Sequence, residues 1–339
     1  MASELLRTIA ARNYPAVASA GHITLPVGDA SIEAEVTVGA RTEIAIACPG
    51  LAELELTIRP GRTIGPRVTI ADHWFEAAFD VTSNDPELAR IWLDAEARAA
   101  VARGQGRPTV GEPVGLDYAF TIGDGRVLAS APAPEPNAQH LERAILAAAT
   151  LALRPRGIAR GLRHLARHVG AVATGERWDL EGGFALVTER LRAQVWIDHV
   201  RRLPDEPRAA ARLRTRVRAR GRAAGGGTDA FVVLPRSSRL SPPAVPQEIA
   251  PRLVPVILAG KLGDRWAARA TAPAQLARQL EDAAARLLSE AAPDAILGIG
   301  AEVALLYEGM DTAPWRIGPG IELAASLVTL DRAVAGPYR

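Results

Sequence analysis

The sequence predicts an internally duplicated α+β protein. It has two copies, each with antiparallel strands, a helix, a β-hairpin and a second helix, related by a pseudo-twofold. Three observations carry this. Matching stretches recur in one order in the two halves of the chain. Short alternating or apolar runs lie between Gly and Pro breaks, as strands of an antiparallel sheet do. A chain of 339 residues, 48% of them apolar, is long enough for two domains of ordinary size.

The repeat is clearest where Leu88-Ala89-Arg90 and Asp94-Ala95-x-Ala97-Arg98 match Leu276-Ala277-Arg278 and Asp282-Ala283-x-Ala285-Arg286. Upstream, Phe79 to Pro86 faces Trp266 to Pro273. Downstream, Gly111, Val114, Leu116 and Tyr118 face Gly300, Val303, Leu305 and Tyr307. The segment Ala144 to Leu151 faces Gly320 to Leu327, and two strands also match: Thr42 to Ala47 with Thr215 to Arg220, and Leu56 to Pro60 with Phe231 to Pro235. Several separate segments recurring in one order indicate duplication. The reading places copy one at residues 22–153, a basic helical connector at 154–177 and copy two at 178–330.

In copy one, Ser31 to Val38, Thr42 to Ala47 and Leu54 to Arg59 read as strands, followed by a further strand from Phe75 to Val81. Asp85 then caps a helix with Pro86 in its first turn. That helix runs to about Arg103 and buries Leu88, Ile91, Trp92, Ala95 and Ala99. Leu116 to Ile122 and Arg126 to Ala131 form a hairpin around Gly123-Asp124-Gly125. A last helix buries Leu141, Ile145, Ala148 and Leu151. The connector restarts a helix at Pro155 and carries Arg154, Arg156, Arg160, Arg163 and Arg167. In copy two, periodicity leaves Phe184 to Val200 open between a strand pair and a helix. The run Ser237 to Pro251 reads as an exposed loop, and Glu308 to Pro314 as the turn of the hairpin.

The composition, with a net charge of +2 and a single cysteine, argues against disorder, collagen, a disulfide scaffold and a coiled coil. Among the cationic residues only Lys261 is a lysine, so arginine is the default cation of this chain and an Arg cluster alone signals little. The longest apolar run, Ala144 to Leu153, falls well short of the roughly 20 residues of a membrane span. Glu4, Arg7 and Arg12 interrupt what would be the apolar core of a signal peptide, so the expected location is cytoplasmic. Cys48 closes an alternating run and reads as a buried thiol rather than a nucleophile.

Catalytic constellations are weak. His164 and His168 share a helix face at a spacing that can bind zinc, but no third ligand accompanies them. Asp80 and Asp85 flank a strand-to-helix junction, yet the matched stretch Ala267 to Pro273 has no acid, and capping explains Asp85. Asp198-His199 beside Trp196 is a lone polar pair in an apolar run. Gly221 to Thr228 is glycine-rich without the Lys-Ser/Thr ending of a phosphate loop, and it reads as a hairpin connection. No cofactor or metal site is expected.

The most ordered signal is Arg212, Arg214, Arg216, Arg218, Arg220 and Arg222, which alternate with smaller residues. On a strand this places all six guanidinium groups on one face. They would repel one another unless acidic side chains or an anionic partner lay opposite. The expected function is therefore non-catalytic binding or assembly with another protein. The alternative is nucleic-acid or other polyanion binding through this strand and the connector.

Overall fold

A computed structural model of the chain describes residues 2–13, 15–49, 54–61, 67–105, 116–180, 183–201, 212–221, 230–237, 248–281 and 283–329. The chain divides into two compact units, Met1–Gly157 and Ile158–Arg339. Each holds one antiparallel sheet.

The first unit opens with helix α1 (Ala2–Arg12), then strands β1 (Val17–Ser19), β2 (His22–Val27), β3 (Ala30–Val38), β4 (Thr42–Ala47) and β5 (Leu56–Pro60). Helix α2 (His73–Ala78), strand β6 (Phe79–Ser83) and helices α3 (Pro86–Trp92) and α4 (Ala95–Arg103) follow. The hairpin β7 (Ala119–Gly123) and β8 (Arg126–Ala131) precedes α5 (Ala138–Ala152). The strands pair in the order β1-β2-β3-β4-β8-β7-β5-β6. Alternation sets the faces: Ile23, Ala34, Val36, Ile44, Ile46, Phe120, Val127, Leu56 and Ile58 are buried. Helix α5 packs across β4 and β8 and is itself flanked by α1 and α4. The other face carries Glu33, Glu35, Thr37 and Glu43.

The second unit repeats this order. Helix α6 (Arg154–Val169) leads into β9 (Val172–Thr174), β10 (Ala185–Arg190), β11 (Ala193–Val200), β12 (Arg214–Arg220) and β13 (Ala230–Pro235). Then come β14 (Val254–Val256), α7 (Gly260–Arg265), β15 (Trp266–Ala270), α8 (Pro273–Gln279), α9 (Ala283–Ala291), β16 (Ala295–Ile299), β17 (Glu302–Glu308) and α10 (Pro314–Thr329). Read from its β9 edge, the sheet runs β9-β10-β11-β12-β17-β16-β13-β15-β14. Strand for strand this is the first sheet with β14 added. Even β14 has a trace in the first unit, where the Val68 N–H donates to Val81 O at 2.8 Å along the outer edge of β6. The edge strands β1, β9 and β14 have three residues each, and the remaining edge, β6, has five.

A polar device recurs with the fold. Thr42 Oγ1 donates to Ala133 O at 2.9 Å and accepts the Glu135 N–H at 2.7 Å, while a Glu135 oxygen accepts the Asn137 N–H at 3.0 Å. In the second unit Thr215 Oγ1 donates to Gly309 O at 2.9 Å and accepts the Asp311 N–H at 2.7 Å, and Asp311 accepts the Ala313 N–H at 2.9 Å. In each unit a buried threonine at a strand start anchors the entry to the last helix, satisfying backbone groups that burial would otherwise strand.

Several expectations change. Phe75 begins no strand: Asp72 accepts the Phe75 N–H and starts α2 there. The helix expected to run unbroken to Arg103 stops at Leu93, because the Asp94 carboxylate accepts the Ala97 N–H and caps a new helix. Phe184 to Val200 is a hairpin, its turn formed by Leu191 and Arg192 at φ of 51° and 66°. The hairpin turn of β16–β17 is Gly300-Ala301, and Glu308 to Pro314 instead connects β17 to α10. It follows that Tyr307 lies in a strand equivalent to β8, and the match of Tyr118 with Tyr307 does not hold in space. The first-unit counterpart of the Gly300 turn is Asp124-Gly125, at φ of 49° and 70°. The α1 helix and the β1–β2 hairpin escaped the sequence reading. The loop 238–247 and the glycine-rich stretch from Arg222 to Asp229 lie outside the described residues.

Candidate functional site

The arginine strand is β12, a central strand between β11 and β17. Its odd-numbered residues Thr215, Val217 and Ala219 are buried beneath α10. The arginines share the opposite face, but their surroundings differ. Arg214 is only 5% exposed and stands beside Val200 in register, next to a small apolar cluster of Val200, Ala295, Leu306 and Leu234. Arg216 grips Asp198 with Nε and Nη2, both at 2.8 Å. Arg218 reaches the same carboxylate at 2.9 Å. Arg212 pairs with Glu308 at 2.8 Å, and Arg220 with Glu302 at 3.6 Å. Arg222 lies outside the described residues.

Asp198 is therefore the acid that lets two guanidinium groups sit side by side. Its side chain is 2% exposed. Burial pushes its pKa up, but the hydrogen bonds and charges of Arg216 and Arg218 outweigh burial and hold it below the usual carboxylate value. Neighbouring His199 points to the other face, as strand alternation requires. There its Nδ1 accepts the Trp178 Nε1–H at 3.0 Å. Full burial depresses the imidazole to about 4, with the Asp198 charge opposing this in part, so the ring is neutral at pH 7.

Towards the β9 edge, the arginine face opens into a groove of about 970 Å3. Gly170, Val172, Glu189, Arg192, Gln194, Trp196 and Arg220 are among its lining residues. Arg218 lies 5.5 Å over the ring of half-buried Trp196, a cation–π contact. Arg220 is 66% exposed, Val172 73%, and Arg192 and Gln194 are exposed at the β10–β11 turn. The groove thus joins an aromatic floor to exposed cations and an apolar rim. No match to this chain is found among family models, curated proteins or solved structures.

The remaining candidates have local explanations. Asp80 is buried and paired with Arg67 at 3.0 Å. Asp85 caps α3 through the Leu88 N–H at 2.9 Å. On α6, His164 and His168 bring their Nε2 atoms to 3.1 Å, but Arg167 donates to His164 Nδ1 at 2.9 Å, placing a cation beside any metal. No group of three potential ligands assembles among the described residues. Cys48 is buried just past β4. Trp74 and Trp315 are 85% and 75% exposed and neither is among the groove's lining residues; isolated apolar side chains on a surface are ordinary.

Sequence reading found the arginines but missed the groove. Gln194, Trp196 and Asp198 alternate along β11 as the arginines do along β12. Placing those two patterns side by side would have supplied both the counter-ion and the aromatic floor.

Proposed function

We propose that the chain is a non-catalytic protein-binding module, and that the groove over β9 to β12 receives an acidic segment of a partner protein. One observation carries this: Trp196 is held half-buried under Arg218, with the more exposed Arg220 and Arg192 around it. Interface anchors are typically Trp and Arg, with the aromatic desolvated and the charges at the rim. Carboxylates suit the exposed guanidinium groups of Arg192 and Arg220, and apolar side chains suit Trp196 and Val172. Nucleic acid is served less well, because Arg216 and Arg218 share Asp198 and a single aromatic offers little base stacking.

The test is titration of a fluorescent peptide of alternating glutamate and leucine, followed by polarisation. Wild-type protein should bind with an affinity that falls as salt rises. Trp196→Ala and the double variant Arg192→Glu/Arg220→Glu should each weaken binding tenfold or more, with unchanged circular dichroism. No binding, or binding unaffected by both variants, would refute the reading. Tighter binding of single-stranded DNA than of the peptide would replace it with polyanion recognition.

A further inference from the structure

The outer faces of the two sheets differ in charge: the first carries exposed Glu33 and Glu35 on β3, and the second carries exposed Arg192 and Arg220. Val36 pairs with Ile44 in the first sheet, and Ile197 pairs with Val217 at the same place in the second. Counting from those pairs, Glu33, Glu35 and Glu43 occupy the positions of Gln194, Trp196 and Arg216. Ala45 and Ala47 occupy those of Arg218 and Arg220. Glu33 and Glu35 are exposed. Glu33 has only a 3.7 Å contact with His22, and Glu35 makes no ion pair among the described residues. Glu43 is held by Arg41 at 2.7 Å. The acidic patch and the groove are thus built on strands at equivalent places in the two sheets.

From this charge complementarity we infer that the partner taken by the groove is a second copy of this chain. The Glu33–Glu35 face of one molecule seats on the Trp196–Arg220 face of the next. The inference rests on the protein-binding reading above. Two sheets can pack face to face with nearly aligned strands when their twists agree. Because the two surfaces differ, the contact is heterologous, and it generates open chains or closed rings rather than a simple twofold dimer.

Sedimentation velocity of the full chain over a range of concentrations tests this. At low ionic strength the mean mass should rise with concentration, and at about 0.5 M salt it should return to that of the monomer. Glu33→Lys/Glu35→Lys and Arg192→Glu/Arg220→Glu should each weaken self-association tenfold or more. Mixed together, they pair an intact acidic face with an intact basic face, and their two reversed faces also carry opposite charges, so association should return in the mixture. A chain that stays monomeric at every concentration overturns the inference, as does association that neither variant weakens. If the chain is monomeric but still binds the glutamate–leucine peptide through Trp196, only the identity of the partner falls. If the peptide binding is also absent, the protein-binding reading falls with it.

Discussion

At the scale of single residues, β11 shows how adjacent side chains acquire opposite fates. Asp198 faces the arginines and stays charged. His199 faces the core and stays neutral. The His199 imidazole is lowered from 6.5 to about 4, so the unfolded chain binds a proton more readily than the folded one between those values. Stability from this group is therefore complete above pH 6.5, declines as pH falls towards 4 and changes no further below that. The full difference is on the order of 3 kcal/mol. Urea unfolding across this range should show wild type losing stability relative to His199→Gln, whose amide oxygen can still accept from Trp178. Parallel losses in the two proteins would clear His199 of the effect. Gly298 shows a different constraint at this scale. It lies opposite Phe231 in register, and a Cβ there would fall 2.1 Å from the Phe231 ring, so the close approach of ring and backbone requires glycine.

At the scale of elements, the strands and helices with strong period or sharp punctuation were legible. Ser31 to Val38 corresponds to β3, Thr42 to Ala47 to β4, and the Gly123-Asp124-Gly125 signal to a hairpin turn. The break between α3 and α4 was visible only as Asp94, because a helix interrupted by an internal cap keeps the same apolar stripe on both sides. The β1–β2 hairpin was missed because its strands are short and its turn is weakly marked. In the candidate site, the arginines were legible as a period of two. Their partners were not, since cross-strand register depends on pairing that one strand does not encode. The threonine device was invisible for the same reason: Thr42 and Glu135 are far apart in sequence and meet only once β4 and α5 are in place. Thr42→Val and Thr215→Val each remove an acceptor from a buried N–H while keeping the side-chain shape. Each should cost about 1–3 kcal/mol, by similar amounts because the hydrogen bonds match. Urea midpoints that drop for only one of them would show that the devices are not equivalent.

At the scale of the whole molecule, each compact unit holds a complete sheet and buries its own large aromatic residues. Trp92 and Tyr118 are fully buried in the first, and Trp178 is fully and Phe184 almost fully buried in the second. Units with separate cores are expected to fold separately. Residues 1–157 produced alone, and residues 154–339 produced with α6 intact, should each show near-ultraviolet dichroism and a cooperative unfolding transition. A fragment with helical signal but no fixed aromatic environment would mean that its core needs the rest of the chain. The shared strand order of the two sheets, against the contrast between Glu35 and Trp196 on their outer faces, shows where duplication leaves freedom. Positions under the helices are bound by packing, and positions facing away are not.

The three-residue strands at the sheet margins bear on how crowded solutions of this protein behave. A fibril template needs an unpaired backbone row about six residues long; β1, β9 and β14 are each half that, and the five-residue edge β6 already has its Val81 carbonyl taken by the Val68 N–H. Contacts between molecules are then expected to run through side chains rather than through long shared backbone ladders. Concentrated solutions should form assemblies that dissolve on dilution or added salt and do not seed amyloid.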